Sequence, residues 1–418
     1  MRIAVIGSGI SGLSAAHWLS KHHDVTLFES DDRLGGHTAT KQVSVTENGE
    51  SREYAIDTGF IVFNDWTYPL FIELMSELGV ASKPTDMGFS AFKADGSFEY
   101  AGKNLKTLFS QKRNLVSPSH LRMLADIVRF NKSAVQDWRT GKLEEGVTLG
   151  QYLADRGYSE TFVQRYLIPM GSAIWSSTTQ DMMAFPLKFF VEFFHNHGLL
   201  NIKNRPQWHV IQGGSKQYIE PLIRRFEKKI HLGEGVLKVV RDKDQVEITT
   251  AKQSYHFDQV VFACHSDQAL NMLGDATEKE KQLLGNIRYR DNDVVLHTDI
   301  SLLPSRKQTW SSWNYCLGEQ ANELPVLTYN MNMLQGIQSE TVFCVTLNAT
   351  DRIDPDAILG EYRYAHPIFD LPAIEAQKQW QSINGVNATW YCGAYWFNGF
   401  HEDGVRSAKR VVESIHAI

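Results

Sequence analysis

The sequence predicts an α/β chain: a doubly wound parallel sheet interleaved with a second unit of α+β type, an antiparallel sheet plus helices. Three observations carry that prediction. Residues 1–37 run apolar strand, glycine turn, amphipathic helix, strand and acid with no linker between them. A fully apolar stretch far downstream, residues 257–264 (FDQVVFAC), and a strand followed by a helix at 388–408 supply further strands of the same sheet. Between them, residues 293–298, 326–332 and 341–349 read as strands of an antiparallel sheet.

Composition narrows the class. At 418 residues the chain holds two full cores. Apolar residues make up 43% and charged residues 22%, which is ordinary globular composition. A net charge of −6 argues against a nucleic-acid binder. Cys264, Cys316, Cys344 and Cys392 lie far apart without a CxxC or partnered histidines, the pattern of reduced core thiols, with no metal site. The first core strand begins at residue 2, which predicts no leader peptide. No apolar run reaches membrane-spanning length; residues 185–194 are interrupted by Lys188 and Glu192. The expected location is cytoplasmic, at most peripheral at the inner membrane face.

Arg2–Ile6 (RIAVI) can only be a buried strand. Gly7, Ser8, Gly9, Ile10, Ser11 and Gly12 follow, then a helix over 13–22 and a second strand, 24–29, ending in the acid Glu29, with Ser30 next to it. This is the order that binds an adenine dinucleotide. Gly7 permits the turn, Gly9 lets backbone approach a pyrophosphate, and Gly12 lets helix pack on strand. The helix start offers free N–H groups and a positive dipole end to the phosphates, and Glu29 can accept from ribose hydroxyls. Asp32-Arg33-Leu34-Gly35-Gly36-His37-Thr38 comes next. Its two glycines let the chain pass the same pyrophosphate toward a flavin ring, which a nicotinamide enzyme does not need.

These residues resemble the flavin-containing amine oxidoreductase superfamily, whose members read acid, spacer, Arg-x-Gly-Gly-Arg. The resemblance implies FAD, not NAD, and an FAD-binding Rossmann-like domain. His37 departs from the usual arginine, which makes the charge there pH-sensitive. Residues 55–64 (AIDTGFIVFN) carry the superfamily's acid-x-glycine run, placing Thr58, Gly59, Phe60 and Ile61 beside the flavin. A helix over 67–78 and a hairpin over 87–100 follow. Nothing rich in proline or glycine marks a linker, so the units interleave: residues 1–85, 205–275 and 385–418 bind FAD, and 86–204 with 276–384 bind substrate.

Residues 101–142 hold nine Lys/Arg against two acids, Asp126 and Asp137. Leu121, Leu124, Val128, Val135 and Trp138 recur at helical spacing, with Arg122, Arg129, Lys132 and Arg139 along or beside one margin. That is what an interfacial helix shows to anionic headgroups; the plainer reading is a helix packed on its own protein with a solvated rim. Phe185, Phe189, Phe190, Phe193 and Phe194 either line a pocket for a long apolar chain or form plain core. His195 and His197 read as helix-end residues.

The Gly213-Gly214 turn precedes a helix over 216–229. Residues 230–250 form two strands, and the resemblance assigns Val236 to adenine through main-chain atoms. Cys264 and His265 are no catalytic pair, because adjacent strand residues point apart. The superfamily's amine oxidases carry a lysine that holds water at the flavin; Lys307 is the nearest candidate. In residues 388–408 (ATWYCGAYWFNGFHEDGVRSA) a strand over 389–392 ends at Gly393. Asp403 is a good N-cap for a helix that runs on through Val405 to residue 418, and the N–H groups of its start are expected to face the flavin pyrimidine edge. By resemblance Gly399 and Glu402 carry over, while Phe400 replaces a cage tyrosine, which speaks against amines.

The terminal run resembles the branch of flavin domains associated with cyclopropane fatty-acid synthases. That implies hydride transfer from a C–H bond of a lipophilic substrate, fatty-acyl or phospholipid, to flavin N5. Tyr395, His401 and His37 are the polar groups expected near the ring. Two alternatives stay open: an oxidase of a small amine or amino acid, and an accessory flavoprotein with a lipid methyltransferase as partner.

Overall fold

Five short apolar strands line up in parallel and organise the chain. In this computed structural model, which describes residues 1–242, 245–318, 320 and 322–417, they are β1 (Arg2–Ile6), β2 (Asp24–Phe28), β3 (Ile230–His231), β4 (Gln259–Phe262) and β5 (Thr389–Tyr391). Their order is β3-β2-β1-β4-β5, all neighbours parallel. Ile3, Ala4 and Val5 of β1 and Val260, Val261 and Phe262 of β4 are all fully buried. Such unbroken apolar runs suit a sheet covered on both faces. The chain winds outward both ways from β1 and β4, so a crevice opens at their carboxyl ends, where such sheets bind ligands.

Helices follow these strands, one of them starting at that crevice. The first, α1 (Ile10–Leu19), starts three residues earlier than the sequence predicts and has Gly9 as N-cap without a side-chain cap. Its first-turn N–H groups therefore face the crevice without a capping side chain. A second, α2 (Pro69–Leu78), opens with proline at its first position, where the lost donor costs nothing. Downstream come α3 (Pro118–Arg139), α4 (Leu187–Asn196) and the terminal α5 (His401–His416).

The second sheet has seven strands in the order 358–367, 289–297, 344–347, 326–330, 313–316, 89–92 and 99–101. It is antiparallel as expected, except that Trp313–Cys316 pairs parallel with Phe89–Phe92. Two local expectations fail. The single strand predicted over 257–264 is two, Ser254–Phe257 and Gln259–Phe262, turning at Asp258, whose carboxylate accepts the Arg2 N–H at 2.7 Å. The helix predicted over 216–229 breaks into a 3-10 turn (Ser215–Tyr218), a short helix (Ile219–Ile223) and another 3-10 turn (Glu227–Lys229), because Pro221 removes a donor from its middle.

The phenylalanine-rich segment is core. Phe185, Phe190, Phe193 and Phe194 are buried, with Phe185 at 4.6 Å and Phe193 at 4.7 Å from the Trp175 ring. Leu283, Leu284 and Ile287, with Ala373, Ala376 and Trp380, pack into the core of the parallel sheet. Residues 278–287 and 371–380 therefore side with the nucleotide-binding unit, although the sequence reading assigns them to the other. All four cysteines are free. No helix among the described residues is long and apolar enough to cross a membrane.

Candidate functional site

Three turns converge at the carboxyl end of β1. Gly7, Gly35 and Gly36 adopt positive φ, and Gly35 N–H donates to both the Ser8 carbonyl and Ser8 Oγ at 3.1 Å. Gly12 tolerates nothing larger: a Cβ there would stand 1.9 Å from the Gly7 carbonyl. At Gly9 a Cβ would meet nothing within 4 Å, so open space lies ahead of the α1 N-terminus. Gly59 presses its Cα side against the His37 carbonyl, which a Cβ would approach to 2.1 Å, and Phe60 N–H donates to that carbonyl at 2.8 Å.

The acid at the end of β2 is buried against the turn. Glu29 Oε2 accepts from Ser8 N–H at 2.9 Å and Ser8 Oγ at 2.5 Å; Oε1 accepts from Asp31 N–H at 2.9 Å and Ser30 Oγ at 3.2 Å. Alongside runs the loop before Val236, with Glu234 N–H on the Glu29 carbonyl at 2.9 Å. Gly235 lies against Ser30. Glu29, Ser30 and Val236 thus form one edge of the crevice.

Helix α5 supplies the other wall. Gly404 sits where its Cβ would meet Ile10 at 2.6 Å and Ser11 at 2.9 Å, so the N-termini of α1 and α5 cross in contact. Three assignments change here. The helix starts at His401, and Asp403 is its third residue, not its cap. Asp403 Oδ2 accepts from Phe400 N–H at 3.0 Å and Asn398 N–H at 3.2 Å, and burial pushes its carboxyl up to about 7. Glu402 spends its carboxylate on α2, accepting from Leu70 N–H at 3.1 Å and Phe71 N–H at 2.8 Å; its side chain is a helix cap, not a cofactor contact. Ile61 and Val405 point their side chains into core clusters, leaving only main chain for a cofactor. Gly393 donates its N–H to Ser407 Oγ at 3.0 Å, tying the β5 end to α5.

Beyond these turns lies a chamber of half-buried imidazoles. The His37 ring stands 5.4 Å from His366, 6.1 Å from His265 and 5.2 Å from Tyr364. His265 stacks on Tyr289 at 4.3 Å, and Tyr289 meets Tyr395 at 6.3 Å. His401 stacks on Phe60 at 3.5 Å and hydrogen-bonds Thr38 Oγ1 at 3.1 Å and Tyr218 Oη at 3.2 Å; Thr38 and Tyr218 also bond each other. Burial drives His37 and His265 down to about 4 and His366 to about 3, and holds His401 well below its ordinary value. All four are neutral at pH 7. The pH-sensitive charge expected at His37 is therefore absent near neutrality, because desolvation outweighs the imidazole's basicity.

The three polar groups expected near the ring, His37, His401 and Tyr395, border this one chamber. His37 Nε2, Tyr395 Oη and Trp396 Nε1 are buried without a hydrogen-bond partner. Buried polar atoms are nearly always satisfied, so the orphaned His37 Nε2 leaves a polar atom for a ligand to meet. Open space before the α1 N-terminus, the buried acid Glu29 at one edge and the orphaned His37 Nε2 beyond the turns suit FAD. Lys307 does not belong: it is exposed at the surface, 5.6 Å over the Trp310 ring.

Sequence reasoning misses His265, His366, Tyr289 and Tyr218. His366 had a signal: Tyr362, Tyr364 and His366 alternate along one strand, but Gly360 and Pro367 conceal it. The hydrogen-bonding role of the Asp57 carboxylate, the acid of the acid-x-glycine run, is also not legible in the sequence. It gathers Thr40 Oγ1 at 2.6 Å, Ser215 N–H and Oγ at 2.9 Å and Gln335 Nε2 at 3.2 Å, fixing the acid-x-glycine turn from three sides.

Comparison with known proteins agrees with this geometry. The family model for flavin containing amine oxidoreductase matches residues 10–298. The chain is 24% identical over 343 residues to an L-amino-acid oxidase of Pseudechis australis, covering 78% of this chain and 61% of that protein. It spans 53 to 64% of the length of the first curated relatives it matches. Among solved structures, cyclohexylamine oxidase from Brevibacterium oxydans superposes with a TM-score of 0.69 at 16% identity, covering 100% of this chain and 98% of that one. A CLA-producing fatty acid isomerase from P. acnes gives 0.69 at 16%, over 99% and 98%. At that identity both establish the fold alone.

Proposed function

Because the chain belongs to the flavin-containing amine oxidoreductase family and FAD is the cofactor its cradle fits, we propose an FAD-dependent oxidoreductase acting on C–H or C–C bonds of a lipophilic, fatty-acyl or phospholipid substrate. The observation that supports this choice is the wall between chamber and helical region. Phe400 stacks on Phe193 at 5.0 Å and Phe189 on Phe369 at 5.4 Å. The imidazole nearest that wall, His197, is held at about 4 by burial, and the four chamber histidines are neutral as well. Phe193 and Phe369 are buried in these pairs, so Phe400 and Phe189 are the half-buried rings left to meet an acyl chain, and the neutral imidazoles offer no charge to a carboxylate.

Bound FAD supplies the two-electron acceptor. The chain's own part is to hold the substrate dry and oriented and to receive the proton that a dehydrogenation releases. His37 Nε2 is neutral, buried and unpartnered, which suits that second task. The N-terminus of α5 directs positive dipole toward the crevice, where it stabilises negative charge on a reduced cofactor.

A second reading, oxidation of an amine or amino acid, draws on the name of the L-amino-acid oxidase relative. The experiment is anaerobic mixing of the holoprotein with vesicles of unsaturated or methylated lipids, and separately with an amine and amino-acid panel, following flavin absorbance. Bleaching by lipid alone supports the proposal. Bleaching by amines alone replaces it with the second reading. No bleaching by either leaves an accessory or redox-neutral flavoprotein and sinks the oxidoreductase reading.

A further inference from the structure

Helix α3 packs most of its apolar residues on its own core but leaves Leu121 and Val128 outside it. The side it buries carries Met123, Phe130 and Ala134 together with two acids, Asp126 and Asp137. Those acids are consumed internally. Asp126 pairs with Arg122 at 3.2 Å and Arg129 at 3.0 Å and accepts Ser159 N–H at 3.0 Å. Asp137 pairs with Arg156 at 2.7 Å and accepts Tyr152 Oη at 2.9 Å.

The outward side keeps apolar groups in water. Leu121 is 45% and Val128 40% exposed, and beside the helix N-terminus Leu105, Leu115 and Val116 reach 74%, 54% and 80%. Residues 200–203 run along the same face, where Val128, Lys132 and Val135 form a groove with Leu200, Ile202 and Lys203, and Ile202 is 68% exposed. Six of the thirteen exposed large hydrophobics among the described residues therefore lie in these two segments. Concentration of that kind marks a contact surface.

Charge identifies the contact. Lys106, Lys112, Lys132, Arg139, Lys142 and Lys203 have no acidic partner among the described residues, while the rest of the chain is acidic overall. We infer that this face, α3 with residues 105–116 and 200–203, seats on an anionic phospholipid bilayer, its apolar side chains entering the headgroup layer and its unpaired cations meeting lipid phosphates. A second copy of the chain is a poor occupant, because a two-fold contact would set like cationic patches against each other. The inference does not depend on which substrate the chamber takes.

The test is co-sedimentation of the yellow holoprotein with phosphatidylcholine vesicles, with and without phosphatidylglycerol, at low and high salt. Binding about ten-fold or more tighter to the phosphatidylglycerol vesicles, lost at high salt, is expected. The pair Val116→Asp with Ile202→Asp should abolish it, and Lys132→Glu with Lys203→Glu should weaken it by about ten-fold or more. Ile300→Asp, exposed but outside the patch, should bind as the parent does. Retained flavin absorbance in each variant reports an intact fold. No binding to anionic vesicles at low salt overturns the inference, as does unchanged binding by both patch variants. A concentration-dependent dimer that Val116→Asp with Ile202→Asp disperses would assign the face to a second copy instead.

Discussion

The cofactor cradle and the chamber beside it are built from different materials. The cradle is glycine backbone in close approach: Gly12 on the Gly7 carbonyl, Gly59 on the His37 carbonyl, Gly404 on the side chains of Ile10 and Ser11. Its charge comes from two helix ends, and its few side chains are short. The chamber is side chain against side chain, with His37, His265, Tyr289, Tyr364, His366, Tyr395 and His401 arriving from separate segments. None of its imidazoles is charged at neutral pH. A region made of backbone contacts fails when a single atom is added, whereas a region made of neutral rings responds to protons and tolerates exchange.

The harshest way to test that contrast is to add atoms to the cradle. Gly12→Val forces a side chain into the 1.9 Å gap at the Gly7 carbonyl, and should destabilise the fold by more than about 3 kcal/mol and give colourless protein. Gly9→Ala should keep its thermal midpoint, since its Cβ meets nothing, yet retain far less flavin, because the space it fills is the ligand's. If Gly9→Ala binds FAD normally, that space is not the phosphate site.

Acid should act on the chamber instead. In the unfolded chain histidines take up protons below about 6.5, whereas folded His37 and His265 resist until about 4 and His366 until about 3. Stability is therefore whole above 6.5 and falls as pH drops toward 4. Asp57 and Asp403, raised by burial to about 6 and about 7, act oppositely, favouring the folded state as they protonate. Urea midpoints measured across this range should fall on the acid side, and His366→Asn should flatten that limb. An equally steep limb in the variant would mean the imidazoles are not the cause.

Smaller effects sharpen the boundary between the two regions. Glu29→Gln weakens the acceptor at the adenosine edge and should raise the FAD dissociation constant about ten-fold, roughly 1.4 kcal/mol, by equilibrium titration, without altering the flavin spectrum. Lys307→Ala should leave the rate of anaerobic flavin reduction unchanged, since that ammonium lies at the surface over Trp310. A slowed rate there would bring the lysine back into the mechanism.

What could be read in the sequence follows the same division. Gly7, Gly9, Gly12 and Glu29 are legible because backbone needs are local: a glycine where no Cβ fits, an acid at a fixed distance along one strand–helix–strand unit. The chamber is not local. His265 is read beside Cys264, its neighbour in sequence, while its partner in space is Tyr289. Asp403 is taken for a cap because an acid near a helix start is a strong local signal; that Phe400 begins the turn is decided by packing against Phe193. In α3 the apolar positions 121 and 128 look like core. The bond from Ser159 N–H to Asp126 and the pair of Asp137 with Arg156 hold the acid-bearing side inward, and these distant partners are not announced locally.

The crossing of α1 with α5 also sets a schedule. Residues 7–36 leave the ribosome early and can already shape half the phosphate turn, but the wall opposite is made of residues 401–416, synthesised after everything between them. The half-made cradle must wait through the emergence of both sheets with its glycine turn uncovered. Firm capture of the cofactor therefore cannot precede synthesis of residues 401–416, and a ribosome stalled before residue 401 should hold a nascent chain that is unable to keep its flavin.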